Sequence, residues 1–323
     1  MRYVLRADAS QSIGAGHVMR SSAIAEELIA RGETAIFVGR ISCLPWVEEK
    51  IASLGFSHIY KDPSDFISNP ESDVLLLDSY EINIADAFIA FEKWHHIVAI
   101  VDGLTPNYRC TLRIHPGLDS NWVGDSDIPI LAGPKYIPFR TSLSKNIHIP
   151  SQEQQKLKIA VVAGGSDPYG LVHEIAKILV ALPDTFEVYL FTNFSADLVS
   201  DSRFSHVEIG TQLELVIRNV DLVFTTSSTS SLEFIACGLP VGVAWAVDNQ
   251  EQYYASLGHL GIAAQLGSFT LQKGWSLNIG KICELIRLPE LRAGLVEKAR
   301  GLIDFNGASR IADAIKALNS DLI

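Results

Sequence analysis

The sequence predicts an α/β protein made of two doubly wound, Rossmann-like domains. Three observations carry that expectation. Short β-like runs alternate with helical stretches along all 323 residues, which is the pattern of βαβ units. Both halves open alike, with a strand, a glycine loop and a helix, as doubly wound sheets do. Between the halves, residues 144–155 (SKNIHIPSQEQQ) are polar and without period, and they read as a linker. The length agrees, at about 150 residues per domain. The expected division is residues 1–145, residues 156–305, and a C-terminal helix over 306–323 able to pack back on the first domain.

Taken in order, Tyr3–Ala7 reads as a strand, followed by a glycine loop and a helix from Val18 to Arg31 that Gly32 ends. Ala35–Val38 is the next strand, and Pro45–Leu54 is a helix stopped at Gly55. Val74–Asp78, Ile97–Asp102 and Thr111–Ile114 read as strands. In the second half the strands are Lys158–Ala163, Glu187–Phe191, Asp221–Thr225 and Val241–Ala244. Helices are expected at Gly170–Ala181 and Ser230–Cys237, and they dominate from Asn278 onward. The apolar runs are short and bounded by carboxylates, as in parallel strands covered on both faces.

Composition narrows the function. Charged residues make up 20% and hydrophobic residues 48%, which excludes a disordered or fibrous chain. The net charge is −11 and no Lys/Arg cluster occurs, which argues against nucleic acid and anionic membranes as partners. The mean hydropathy of +0.20 is high, yet no uncharged run approaches a bilayer span of about 18 residues, so no stable membrane insertion is expected. Met1 leads directly into YVLRAD without a basic segment and long apolar core, so a cytoplasmic location is expected. Cys43, Cys110, Cys237 and Cys283 are scattered without a C-x-x-C and read as buried thiols.

In doubly wound sheets, ligands bind beyond the carboxyl ends of the strands, and the chemistry-bearing residues are sought there. The first candidate is DASQSIGAGHVMR (Asp8–Arg20). Gly14 and Gly16 permit a tight turn and close approach of a ligand. His17 opens the helix, where imidazolium is disfavoured, and so reads as a general base; a capping or surface histidine is the plain alternative. Asp78 and Tyr80, after VLLLD, could orient a sugar or a water, or could be an N-cap and a core tyrosine. Asp102-Gly103 is placed the same way.

In the second half, Gly164-Gly165-Ser166-Asp167 could offer backbone N–H groups to a diphosphate. TTSSTSSLE (Thr225–Glu233) opens a helix with hydroxyls suited to phosphate, with Glu233 suited to ribose. Asp248-Asn249-Gln250 could hold sugar hydroxyls, or form a turn with an N-cap. Asp125 and Asp127 form a D-x-D in a loop, read as chance rather than a metal site. No metal and no cofactor is expected. G-x-S-x-G and G-x-x-x-x-G-K-[ST] are absent.

The set in this order is R-x-D-x-S-x-x-I-G-x-G-H-x-x-R (Arg6–Arg20), D-x-Y, VDG, GPKYIPFR (Gly133–Arg140), GGSDP, SSTSSLEFIACGLP (Ser227–Pro240), DNQ and IDFNGASRI (Ile303–Ile311). It resembles the UDP-2,4-diacetamido-2,4,6-trideoxy-β-L-altropyranose hydrolases of pseudaminic acid biosynthesis, over nearly the whole chain. The resemblance implies a GT-B-like architecture, two Rossmann-like domains facing across a cleft. It implies metal-independent hydrolysis of a UDP-sugar at the anomeric C–O bond, with His17 activating water. UDP would fall on Gly165, Ser228, Thr229 and Glu233, and the sugar on Tyr80, Arg140 and Asn249. Asp8, Gly14, Gly16, Arg20 and Gln250 complete the expected substrate contacts. Two departures lie on the sugar side: Gly103 where a second polar residue is expected, and His115-Pro-Gly-Leu-Asp119 where an Asn/Gln-rich run is common. The alternative is a GT-B glycosyltransferase with a UDP-sugar donor; a third reading is a non-catalytic nucleotide-sugar-binding protein.

Overall fold

The computed structural model describes the chain except residues 11–12, 80–85, 102–107, 124–126, 146, 148–155, 165–166, 193–200, 209–213, 215–216 and 319–323. Two compact units emerge, one of Met1–Thr141 with Asp304–Ile323, the other of Ser142–Ile303. Each carries its own seven-stranded sheet.

Unit 1 contains β1 (Arg2–Ala7), α1 (Gly16–Ala30), β2 (Thr34–Val38), α2 (Pro45–Ser53), β3 (His58–Tyr60), β4 (Asp73–Asp78), β5 (His96–Ile100), β6 (Leu112–His115) and β7 (Ile130–Ala132). The strand order is β3-β2-β1-β4-β5-β6-β7, and every pair is parallel. Order reverses between β1 and β4, which makes their carboxyl ends the ligand-binding crevice of a doubly wound sheet. The short apolar runs follow from burial on both faces. In β4, Val74 and Leu76 pack into the core that includes α1, while Leu75 and Leu77 pack into the core on the other face.

A short helix, α3 (Thr141–Ser144), leads into unit 2. That unit contains β8 (Leu157–Val162), α4 (Leu171–Val180), β9 (Phe186–Phe191), β10 (Phe204–Val207), β11 (Leu222–Thr226), α5 (Thr229–Ala236), β12 (Val241–Trp245), α6 (Asp248–Leu260), β13 (Ala264–Thr270), β14 (Gly274–Leu277), α7 (Ile279–Arg287) and α8 (Pro289–Ala299). Its order is β10-β9-β8-β11-β12-β13-β14. This repeats the first sheet, except that β14 runs antiparallel to β13. Strands β3, β7, β10, β13 and β14 carry little apolar signal. They lie at or next to the sheet edges, where one neighbour and partial cover suffice.

The final helix, α9 (Gly307–Ala317), belongs to unit 1, where Ile311, Ala312 and Ile315 enter the core beside α1. Arg31 ties the two helices by donating to Asp313 and Ser309. Gly307 is required by proximity: a Cβ there would lie 2.0 Å from the Ile137 carbonyl oxygen. Helix propensity favours alanine over glycine by about 1 kcal/mol, so Gly307→Ala separates the two effects. The variant is expected to lower the denaturation midpoint of unit 1, because α9 must move off the backbone it touches. A midpoint equal to or above wild type in urea would show that the contact does not constrain the helix.

Candidate functional site

The most concentrated polar arrangement in unit 1 sits at the β1/β4 crevice. Ala7 and Asp78 end their strands side by side. The chain then turns through Gly14, at φ +80°, a left-handed value that a side chain would disfavour. Gly14 N–H donates to the Ser10 carbonyl, and Ser10 Oγ accepts the Ile13 N–H. This small turn delivers the chain into α1 with His17 as its second residue.

His17 is buried, with Nδ1 2.6 Å from Asp78 Oδ1. Arg20, one turn on and also buried, donates from Nε to Asp78 Oδ2 at 2.6 Å and from Nη2 to Oδ1 at 2.7 Å. Ser21 Oγ adds a bond to Oδ2 at 3.2 Å. Burial pushes the Asp78 carboxyl toward its neutral form, but the charges of Arg20 and then His17 outweigh it and hold the group well below the usual carboxylate range. An ionised carboxylate only accepts hydrogen bonds, so Nδ1 carries a proton toward Asp78. In the neutral ring the lone pair then lies on Nε2. A base oriented by a carboxylate is the constellation used to take a proton from a hydroxyl or water.

The geometry gives several of the expected residues partners within the fold. Arg20, expected on the substrate, donates bidentately to Asp78. Asp8 is similarly used, 2.6 Å from Arg6 Nη1 and accepting the Arg40 N–H. The pairing of Asp78 with His17 was not foreseen, since it follows from β1 and β4 being neighbours although 61 residues separate the two side chains. Gly16 begins α1, and Arg140 is buried within unit 1. Tyr80, Asp102, Gly103 and Asp125 lie outside the described residues, and Asp127 is exposed. His115 is a packing residue, stacked on Trp122 with ring centroids 4.8 Å apart and Nδ1 3.2 Å from the Val101 carbonyl.

In unit 2 the two expected phosphate turns prove different. Asp167 occupies the start of α4 itself: its carboxylate accepts the N–H groups of Leu171 at 2.8 Å and Val172 at 3.1 Å. An anion of the chain itself is thus seated at the helix end that follows the GGSD turn. Gly165 itself lies outside the described residues. The start of α5 is open by comparison, because the Ser228 side chain makes no capping bond to its helix. Thr229 is the first helical residue, and Glu233 is buried on the next turn. Ser227 Oγ donates to the Gln250 carbonyl at 2.9 Å, and Gln250 Oε1 accepts the Ala246 N–H at 2.9 Å. Gln250 therefore laces the loops after β11 and β12 together. Asn249 is in the first turn of α6; its side chain lies outside the description. Among the described residues no group of His, Cys, Asp and Glu side chains could hold a metal ion, and no helix is long and apolar enough to cross a membrane.

Burial pushes the Asp167 carboxyl up to about 6, against the bonds from Val172, Leu171 and Gly170. A free aspartate titrates near 4, so between about pH 4 and 6 the folded chain holds a proton that the unfolded chain has lost. The Asp167 contribution to stability therefore falls as pH rises through that window and is level above it. Asp167→Asn keeps a capping oxygen without the titration. Its stability relative to wild type is expected to climb from pH 4 to 6 and then flatten; a difference independent of pH in urea titrations would contradict the burial argument.

No family model matches the sequence, and no curated protein matches it. Solved structures do. MurG of Acinetobacter baumannii superposes with a TM-score of 0.67 at 12% identity, over 98% of this chain and 100% of that one. A Listeria monocytogenes protein provisionally described as a UDP-N-acetylglucosamine 2-epimerase gives 0.69 at 13%, over 100% and 97%. The spinosyn rhamnosyltransferase SpnG, complexed with thymidine diphosphate, gives 0.61 at 14%, over 99% and 100%. At these identities the likeness is one of fold: the chain has the GT-B-like class, with two Rossmann-like domains.

Proposed function

We propose that the chain is an enzyme that displaces UDP from the anomeric carbon of a UDP-sugar, with His17 as the base and water as the acceptor. The observation that carries this reading is the 2.6 Å contact of Asp78 with His17 Nδ1. It orients a base at the crevice where doubly wound sheets bind ligands. His17 Nε2 takes the proton as the attacking oxygen bonds to the anomeric carbon. The C–O bond to the diphosphate breaks, and UDP leaves with the electron pair. UDP is an acidic leaving group, so no second acid, metal or cofactor is required. Unit 2 would hold the nucleotide, the open N-terminus of α5 offering about half a positive charge to the diphosphate, with Ser228, Thr229 and Glu233 beside it. SpnG, of like fold, is complexed with thymidine diphosphate, which favours a nucleoside diphosphate here.

The motif resemblance supports water as the acceptor and a diacetamido-trideoxyhexose, on a route to a nonulosonic acid, as the sugar. A second reading keeps the same donor and base but transfers the sugar to an acceptor hydroxyl. The solved structures of like fold, a rhamnosyltransferase among them, favour that reading over hydrolysis.

One assay separates them. With a panel of UDP-sugars in ¹⁸O-water, hydrolysis releases UDP without acceptor and labels the free sugar. Release only when an acceptor is added identifies a transferase. Label on UDP means attack at phosphorus and sinks both readings. His17→Asn should lower kcat by about 10²–10⁴ while UDP still binds. Asp78→Asn should lower kcat by a similar order through loss of the oriented tautomer. Either variant retaining wild-type kcat would remove the base from the mechanism.

A further inference from the structure

The face of the first sheet opposite α1 holds a second polar anomaly. The register runs Arg6, Leu77, Ala99, Arg113 straight across β1, β4, β5 and β6. This row lies one residue below Asp78, at the carboxyl end of the sheet. Leu112 and Ile114 enter the core beside α1, so alternation sends Arg113 to the other face, where Cys110 and Tyr108 pack. Arg113 is only 3% exposed, and its Nε and Nη1 have no hydrogen-bond partner. Its contact in the cluster is the Cys110 thiol, which burial pushes up and Arg113 draws back down. No carboxylate among the described residues stands within ion-pair distance. Arg6, on the same row, has Asp8 at 2.6 Å.

A buried guanidinium without an anion is costly and rare. Tyr108 packs against the same cluster, and its hydroxyl is pushed up first by burial, then by Cys110 and Asp78, with Arg113 acting the other way. The charges of Asp78 and Arg113 thus both reach one phenol. The two departures from the motif pattern, Gly103 and His115–Asp119, flank this strand in sequence.

We infer that Arg113 is the recognition group for a sugar carboxylate bound to unit 1, either on the transferred sugar or on a separate acidic sugar. The inference rests on the proposed function only in taking unit 1 as the sugar side. A diacetamido-trideoxyhexose has no anion to offer, so a carboxylate on the transferred sugar would replace that sugar in the reading, whereas one on a separate acidic sugar would stand beside it.

The test is thermal stabilisation of the full chain by matched probes, glucuronate against glucose and UDP-glucuronate against UDP-glucose. The carboxylate member of at least one pair is expected to bind about tenfold tighter, the scale of one charged hydrogen bond. Arg113→Met should abolish that advantage, and Arg113→Lys should keep part of it. An advantage in the nucleotide pair alone places the carboxylate on the donor; one in the free pair alone places it on a separate molecule. Without ligand, Arg113→Met should melt at or above the wild-type temperature, since it removes an unpaired buried charge. No carboxylate preference in wild type, or a preference that survives in Arg113→Met, overturns the assignment. So does a lower melting temperature of Arg113→Met that Arg113→Lys restores, because the residue is then structural. If UDP itself does not stabilise the protein, the nucleotide-sugar reading fails, while the free pair still decides the role of Arg113.

Discussion

The organisation of unit 1 turns on one buried charge. The Asp78 carboxylate is withdrawn from water at the end of β4 and, among the described residues, receives its side-chain donors from α1: His17, Arg20 and Ser21. Removing one partner of a buried ion pair costs about 3–5 kcal/mol, because the other charge is left uncompensated. That penalty locks the rotation of α1 against β4 and, with it, the direction of the His17 ring. The same contact fixes both packing and tautomer: the carboxylate that holds the helix also sets which imidazole nitrogen bears the lone pair.

Unit 2 shows the same economy with opposite results at its two helix starts. At α4 the chain supplies its own anion, Asp167, held at φ +43° and buried at a cost that raises its affinity for a proton. At α5 the Ser228 side chain makes no such bond. Two turns that look equally suited to phosphate in sequence are distinguished by a single carboxylate folding back on its own helix. The cross-tie from Ser227 to Gln250 then joins the loops after β11 and β12.

Much of this was legible in the chain itself. Runs such as VLLLD and IVAI are apolar throughout, because parallel strands are buried on both faces, so β4 and β5 announce themselves. The glycine loop before His17 marks a strand-to-helix turn because Gly14 takes a left-handed φ that few other residues tolerate, and the hydroxyl-rich turn before Glu233 marks one because Ser and Thr favour helix starts. Edge strands such as His58–Tyr60 and Gly274–Leu277 did not announce themselves, because they need neither two-sided burial nor a long period.

The sequence by itself determined the fold class, the repeated strand–turn–helix opening and the location of candidate residues at strand ends. These are local properties, set by periodicity and by backbone preference. Only the tertiary structure decided which of those residues meet. His17 and Asp78 are partners because β1 and β4 lie side by side at the point where strand order reverses. Arg20 joins them because it reaches the same carboxylate, and Arg113 stands without an anion because no described acidic side chain was brought to its face of β6. Pairings across dozens of residues depend on strand order and register, which no local pattern encodes.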